Sequence, residues 1–402
     1  MPLLPLARAL RRQGHKVAFA TAAEALPWLR PEGFEVLPCG PDTDQLAAEA
    51  ARRAGLDILF TSDRDLTAEL FAGVRVDLMA DAALEAAESW APSLIVCEHY
   101  DLVGPLVAGA VDVPCAVAVT TPAPEEDELA ALAATVRSRY ADRGLRPPSR
   151  VPSGRWLLDL CPPSMQRQGW RPAADRVELR AGAAPRRGEG SRTHRPAGTG
   201  RPRVLVDLGT EAETSVELGP VLRSLTALDV DLVVAAGDRQ VEHVEWAQDR
   251  VRVHVGPPAA DDWEAVRAVL HHGAPEITFA AVVRGLPAVV VAQSPAHREQ
   301  AECIAAAGAG IALPASAGDP ALISESVGRL LSEPGFAAAA AQIRDDIVVM
   351  PTAPEVAGRL VAWVSAESGA DNASDGEIAP EGHAREHRGR VGGHAGSRRR
   401  IG

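Results

Sequence analysis

At 402 residues, with 46% apolar and 24% charged side chains, the chain has room for two globular domains. A formal net charge of -13 argues against nucleic acid as a partner, because phosphate neutralisation dominates that affinity. Five scattered cysteines without a C-x-x-C pair predict reduced thiols, no metal site and a cytoplasmic protein, and the lack of any run of roughly 18 apolar residues predicts no membrane span.

In chain order, residues 2–13 read as an amphipathic helix with Leu3, Leu6, Ala7 and Leu10 on one face, ended by Gly14. Residues 16–20 and 35–38 read as strands, and the acidic, Ala-rich stretch 42–90 as helices with loops. Residues 93–97 (SLIVC) predict a buried strand that ends in Glu98-His99-Tyr100-Asp101, followed by a helix over 102–110 and a strand over 113–119. Glu98 and His99 are candidate site residues, although polar groups capping a helix at a strand end read equally well. Residues 159–166, with two prolines, read as an extended segment without chemistry.

From 180 to 203 the text turns Gly-, Pro- and Arg-rich with no apolar periodicity, which predicts a linker. Residues 204–208 then start a second domain and end in Gly209-Thr210. Strands over 231–236 and 251–255 follow, the latter running into Gly256-Pro257-Pro258. A strand ending in His271-His272-Gly273 opens a helix that Gly285-Leu286-Pro287 stops. Residues 288–291 read as a buried strand, 298–307 as a helix and 308–313 as another strand. The last helix runs from Met350-Pro351-Thr352 to about Trp363, and the polar, Gly-rich stretch 365–402 is expected to be disordered. Strands alternating with helices predict parallel βαβ units, with an anion at the His-His-Gly turn where helix amides and dipole converge.

The order of these motifs resembles the GT-B glycosyltransferases, in particular the bacterial family that glycosylates macrolides, aromatic polyketides and related natural products. In that family a His-His-Gly-Gly-x-Gly-Thr-Thr turn holds the donor diphosphate; here residues 271–278 read HHGAPEIT. An Asp-Gln pair that holds the sugar hydroxyls falls on Ala296-His297. The resemblance implies an α/β protein of two Rossmann-like doubly wound domains facing each other across a cleft. Residues 1–179 would bind the acceptor and lack the family's first strand, 180–203 would be the linker, 204–364 would bind the nucleotide sugar, and 365–402 would be the tail.

It also implies donor contacts from Gly209, Thr210, Gly256, His271, Gly273 and Thr278, with Glu299 and Gln300 one helical turn beyond Ala296 as substitutes for the lost pair. On the acceptor side, Glu98 aligns with the acid that orients the family's general-base His, and His99 is a second titratable group beside it. The loop that carries that base precedes the opening helix in the family and is not part of this sequence. The implied reaction is inverting transfer of a hexose-type sugar from a nucleoside-diphosphate sugar to a hydroxyl of a lipophilic aglycone, with no metal and no cofactor; the implied partners extend to a partner transferase or a homodimer.

Four substitutions act against donor binding: Glu276 and Ile277 in the turn, Ala296, and Ala259 at a Gln position. Like charges about 4 Å apart cost roughly 1 kcal/mol in water and about 4 at a dielectric of roughly 20, so Glu276 weighs most. The competing reading is therefore a catalytically inactive homologue acting as a binding or helper subunit. A sugar-nucleotide epimerase is a third, opposed by the PLLPLARAL opening and the Cys-Pro-Pro-Ser segment.

Overall fold

Among the described residues every hydrogen-bonded strand pair is parallel, which places helices on both faces of the sheets. The computed structural model describes residues 2–54, 64–151, 154–167, 169–171, 174–182, 200–209, 216–237, 250–314, 316 and 318–374. Thr210, most of the expected linker and residues 375–402 lie outside these described residues.

The second half is built on six strands: β7 (Arg203–Asp207), β8 (Asp231–Ala236), β9 (Val251–Val255), β10 (Val266–His271), β11 (Ala288–Ala292) and β12 (Gly310–Pro314). Their spatial order is β12-β11-β10-β7-β8-β9, a doubly wound sheet whose order reverses between β7 and β10. Side chains alternate across the strands, so Leu205, Val269 and Val290 join one core while Val204, Val206, Leu270 and Val289 join the other. Leu218–Thr226 and Pro320–Ser332 pack on the second face through Leu222, Leu225, Ile323 and Val327. Pro275–Val282, Pro295–Ala306 and Pro334–Val349 pack on the first through Ile277, Ile304 and Ile343.

The first half holds two sheets. β1 (Ala18–Thr21) pairs β2 (Glu35–Pro38), and β3 (Ile95–Glu98), β4 (Cys115–Val119), β5 (Trp156–Asp159) and β6 (Asp175–Glu178) form a sheet in that order. The short β-branched and Ala-rich β4 is buried throughout: Cys115 and Val117 pack with Ala108 of Val103–Ala110, while Ala116 and Ala118 join the first-face core. Arg75–Trp90, Val103–Ala110 and Glu126–Ala141 share a further core of their own.

The first-face core does not stop at either half: Leu6, Ala9, Trp156 and Leu158 share it with Val356 and Leu360 of the last helix. Trp156 stacks on Trp363 with centroids 5.2 Å apart, Gln13 Nε2 donates to Pro354 O at 2.9 Å, and the Arg180 guanidinium donates to Met350 O at 3.1 Å. The last helix thus packs back on the first half.

Three expectations change. The opening helix, Leu4–Arg12, buries Leu4, Leu6, Ala7 and Ala9, with Leu3 and Leu10 only partly covered, because it is wedged between the last helix and the β1–β2 unit and needs two apolar faces. The last helix spans Ala353–Ser374, past Trp363 and into the stretch expected to be disordered. A helix nucleated by packing extends at little further cost until a breaker stops it. Arg203, placed in the linker, is the first residue of β7. Among the described residues no single helix is long and apolar enough to cross a membrane; the apolar bent pair Pro334–Val349 and 353–366 owes its character to core packing of Ile343, Ile347, Val356 and Leu360.

Candidate active site

Where the strand order reverses, the carboxyl ends of β7 and β10 lie side by side, His271 level with Asp207. Ligands of doubly wound sheets bind in this position. The chain here is fixed by short-range bonds: His272 N–H donates to Asp207 O at 3.1 Å, and Gly209 N–H to Asp207 Oδ1 at 3.1 Å. His272 Nδ1 also lies 3.1 Å from Asp207 O, and since a carbonyl only accepts, that nitrogen carries a proton.

His271 is fully enclosed, and burial, reinforced by His272 and His297, pushes its imidazole down to about 3. The ring is therefore neutral. Its Nδ1 accepts the Gly273 N–H at 3.1 Å, so the proton sits on Nε2, which is buried and has no protein partner. A buried donor left unmade costs about 1–3 kcal/mol, a cost that a phosphate oxygen would relieve. Thr278 Oγ1 and both amide atoms of Gln300 are likewise buried without partners.

Gly273 adopts φ +99°, and a Cβ there would lie 2.8 Å from His297 Cβ and 3.2 Å from the His297 backbone. Glycine is required because the turn after β10 presses directly on the helix that follows β11. The Pro275–Val282 helix begins with proline and has no side-chain cap on its amides, which leaves them facing the switch point. Glu276 stands in this first turn and is exposed, whereas Ile277 points into the core, so position 277 belongs to packing.

Glu299 and Gln300 do not form one clamp. Glu299 turns toward the first half, 3.5 Å from Arg167 Nη2, while Arg167 also reaches Glu125 at 3.4 Å and donates to Ala123 O at 3.0 Å. Burial, with Glu128 adding to it, drives the Glu299 carboxyl up to about 8. Beside it the Tyr100 hydroxyl donates to Glu128 Oε1 at 2.7 Å. Gly256, at φ +87° after β9, spends its N–H on Ala236 O at 3.0 Å. Of the backbone groups expected to serve at Gly256, the N–H is therefore taken by the sheet and the carbonyl remains.

On the acceptor side Glu98 ends β3, open to the cleft but lined by protein. Desolvation first, and Glu276 of the second half next, hold its carboxyl above the usual carboxylate range. Glu276 of the second half is thus near enough to act on Glu98 of the first. His99 is enclosed, with Nε2 3.1 Å from Thr121 Oγ1 and its ring 4.3 Å from that of Tyr100, and burial pushes it down to about 4. It is buried beside Thr121 and Tyr100, packed as a polar group at the end of a strand. Asp101 accepts from Val103 N and Gly104 N and caps the next helix.

The structure thus gathers Gly209, His271, Gly273 and Thr278 at one switch point, sets Glu98 opposite, and leaves Gly256 beyond β8. Sequence reasoning did not single out Asp207, His272, Tyr100, Glu128 or Arg167. Asp207 had a signal, an acid closing an otherwise apolar strand; the others are joined by contacts between distant segments. Among the described residues no group of three or more His, Cys, Asp or Glu could hold a metal ion. A concavity of about 640 Å³ lined by Arg201, Arg203, Asp231 and Arg267 opens at the amino ends of the same strands, the side opposite the switch point.

Two models of one family cover both halves: the N-terminal domain of the Erythromycin biosynthesis protein CIII-like family matches residues 8–177 and its C-terminal domain residues 219–363. The chain belongs to this glycosyltransferase family. Among EryCIII-like relatives, the elloramycin glycosyltransferase ElmGT of Streptomyces olivaceus is 28% identical over 374 residues, covering 89% of this chain and 93% of its own. The glycosyltransferase SnogD from Streptomyces nogalater superposes with a TM-score of 0.69 at 26% identity, covering 90% of this chain and 95% of its own. The Streptomyces sp. SF2575 glycosyltransferase SsfS6, solved in complex with thymidine diphosphate, superposes with a TM-score of 0.72 at 24% identity, covering 90% and 96%. The EryCIII-like chain therefore has the GT-B fold, two Rossmann-like domains facing each other across a cleft.

Proposed function

We propose that this EryCIII-like chain transfers a sugar from a nucleoside-diphosphate donor to a hydroxyl of a lipophilic natural-product aglycone, with inversion at the transferred carbon. The observation that carries the reading is the buried, neutral and unpartnered His271 Nε2–H at the point where β7 and β10 diverge. That donor and the uncapped amides of Pro275–Val282 stabilise the negative charge that grows on the departing diphosphate. Gly209 and Gly273, both at positive φ, make the tight turns on either side of the point where the phosphates would lie. Residues 204–364 hold the donor, 1–179 the acceptor, and 180–203 join them.

Glu98 is the titratable group on the acceptor side, and its raised carboxyl makes it a better proton acceptor than an ordinary carboxylate. The free cysteines suit the reducing cytoplasm. An inactive helper subunit finds no support among the relatives, which are named as transferases. The test is incubation of the full chain with thymidine-diphosphate sugars and a panel of macrolide and aromatic polyketide aglycones. A product heavier by one sugar, formed by the wild type and lost in His271→Ala, supports the reading; donor binding without transfer to any aglycone opposes it.

A further inference from the structure

We propose that His297, which stands against His272 across Gly273, adds a second imidazole contact to the diphosphate, so that this site holds its anion between the turn after β10 and the helix after β11. The inference rests on the donor-binding reading above and adds a residue to it. The two rings lie edge to face with centroids 5.4 Å apart. Gly273 sets this spacing, because a Cβ there would collide with His297 Cβ and backbone.

His272 spends its Nδ1–H on Asp207 O, so its Nε2 carries only a lone pair and the ring serves as the wall against which His297 packs. His297 stands in the first turn of Pro295–Ala306, whose start is held by Ser294 Oγ accepting the His297 backbone N–H. The amino ends of two helices, Pro275–Val282 and Pro295–Ala306, therefore converge with His271, His272 and His297 around one point. The fully enclosed His271 Nε2, a donor without a protein partner, is the independent sign that a ligand acceptor belongs there. Helix ends are suited to negative charge, and an imidazole N–H donates to an anion as an amide does.

The experiment is calorimetric titration of wild type, His297→Ala and His297→Gln with thymidine diphosphate and, separately, with thymidine. The expected result is a loss of about tenfold or more in thymidine diphosphate affinity for His297→Ala, a smaller loss for His297→Gln, and a change of less than about twofold for thymidine. Equal diphosphate affinity in wild type and both His297 variants overturns the inference while leaving the donor site standing. Parallel losses for thymidine and its diphosphate also overturn it, since they report collapse of the pocket. Absence of thymidine diphosphate binding by the wild type overturns the donor-site reading and this inference together.

Discussion

The Gly273 N–H points at His271 Nδ1 from 3.1 Å, and this one bond decides which ring nitrogen of a buried histidine carries the proton. Replacing His271 by Ala removes the Nε2 donor, and affinity for thymidine diphosphate is expected to fall about 10- to 100-fold, or roughly 1.4–2.7 kcal/mol, by calorimetry. The same ring shapes acid stability. Its pKa is lowered in the fold from 6.5 to about 3, so its contribution is complete above about pH 6.5 and is lost as pH falls through that window toward 3. Denaturation midpoints of His271→Ala should therefore show a shallower decline with acid than the wild type; parallel curves would contradict the buried neutral ring.

Gly273→Ala places a Cβ 2.8 Å from His297 Cβ in a backbone with φ +99°. Strain and contact together are expected to cost about 1–3 kcal/mol in urea denaturation. An unchanged midpoint would mean that the two helix entrances are not pressed together.

Glu276 sets a negative charge at the mouth of the anion site and acts on Glu98 across the cleft. Glu276→Thr is expected to tighten thymidine diphosphate binding by about fivefold or more, the equivalent of roughly 1 kcal/mol for an exposed charge. It should also let Glu98 titrate nearer its ordinary range, moving the acid limb of any transfer activity to lower pH. Weaker binding in the variant would show that Glu276 serves the ligand.

Glu299 has its carboxyl raised from 4.5 to about 8 by burial and Glu128. A raised folded-state pKa contributes stability at low pH that is lost as pH rises through this window, here between about 4.5 and 8. Glu299→Gln, which carries no charge to bury, should match the wild type near pH 5 and exceed it by about 1–3 kcal/mol near pH 9 in chemical denaturation. Equal stability at both pH values would place Glu299 in water rather than against Arg167 and Glu125.

The donor half was legible because its strands are uninterrupted β-branched runs and its turns are marked by Gly209, Gly273 and Gly285, each with positive φ. The first half was less so. Helix Glu126–Ala141 commits only a few large side chains to the core in an Ala-rich sequence, and β5 and β6 are four residues each, too short for a periodic signal. Pro320–Ser332 and Pro334–Val349 also went unsignalled, and the latter faces the core largely with alanine and isoleucine. Site details that depend on two distant segments could not be read from one. Thr121, after the next strand, shuts His99 away, Ala236 on β8 consumes the Gly256 amide, and Arg167 draws Glu299 across the cleft.

The most direct measurement is a crystal of the full chain soaked with thymidine diphosphate and examined by difference density. The account predicts a diphosphate between the ends of β7 and β10, with an oxygen in hydrogen-bond distance of His271 Nε2 and another at the first turn of Pro275–Val282. Ordered nucleotide elsewhere on the molecule, with His271 Nε2 still lacking an acceptor, would contradict it.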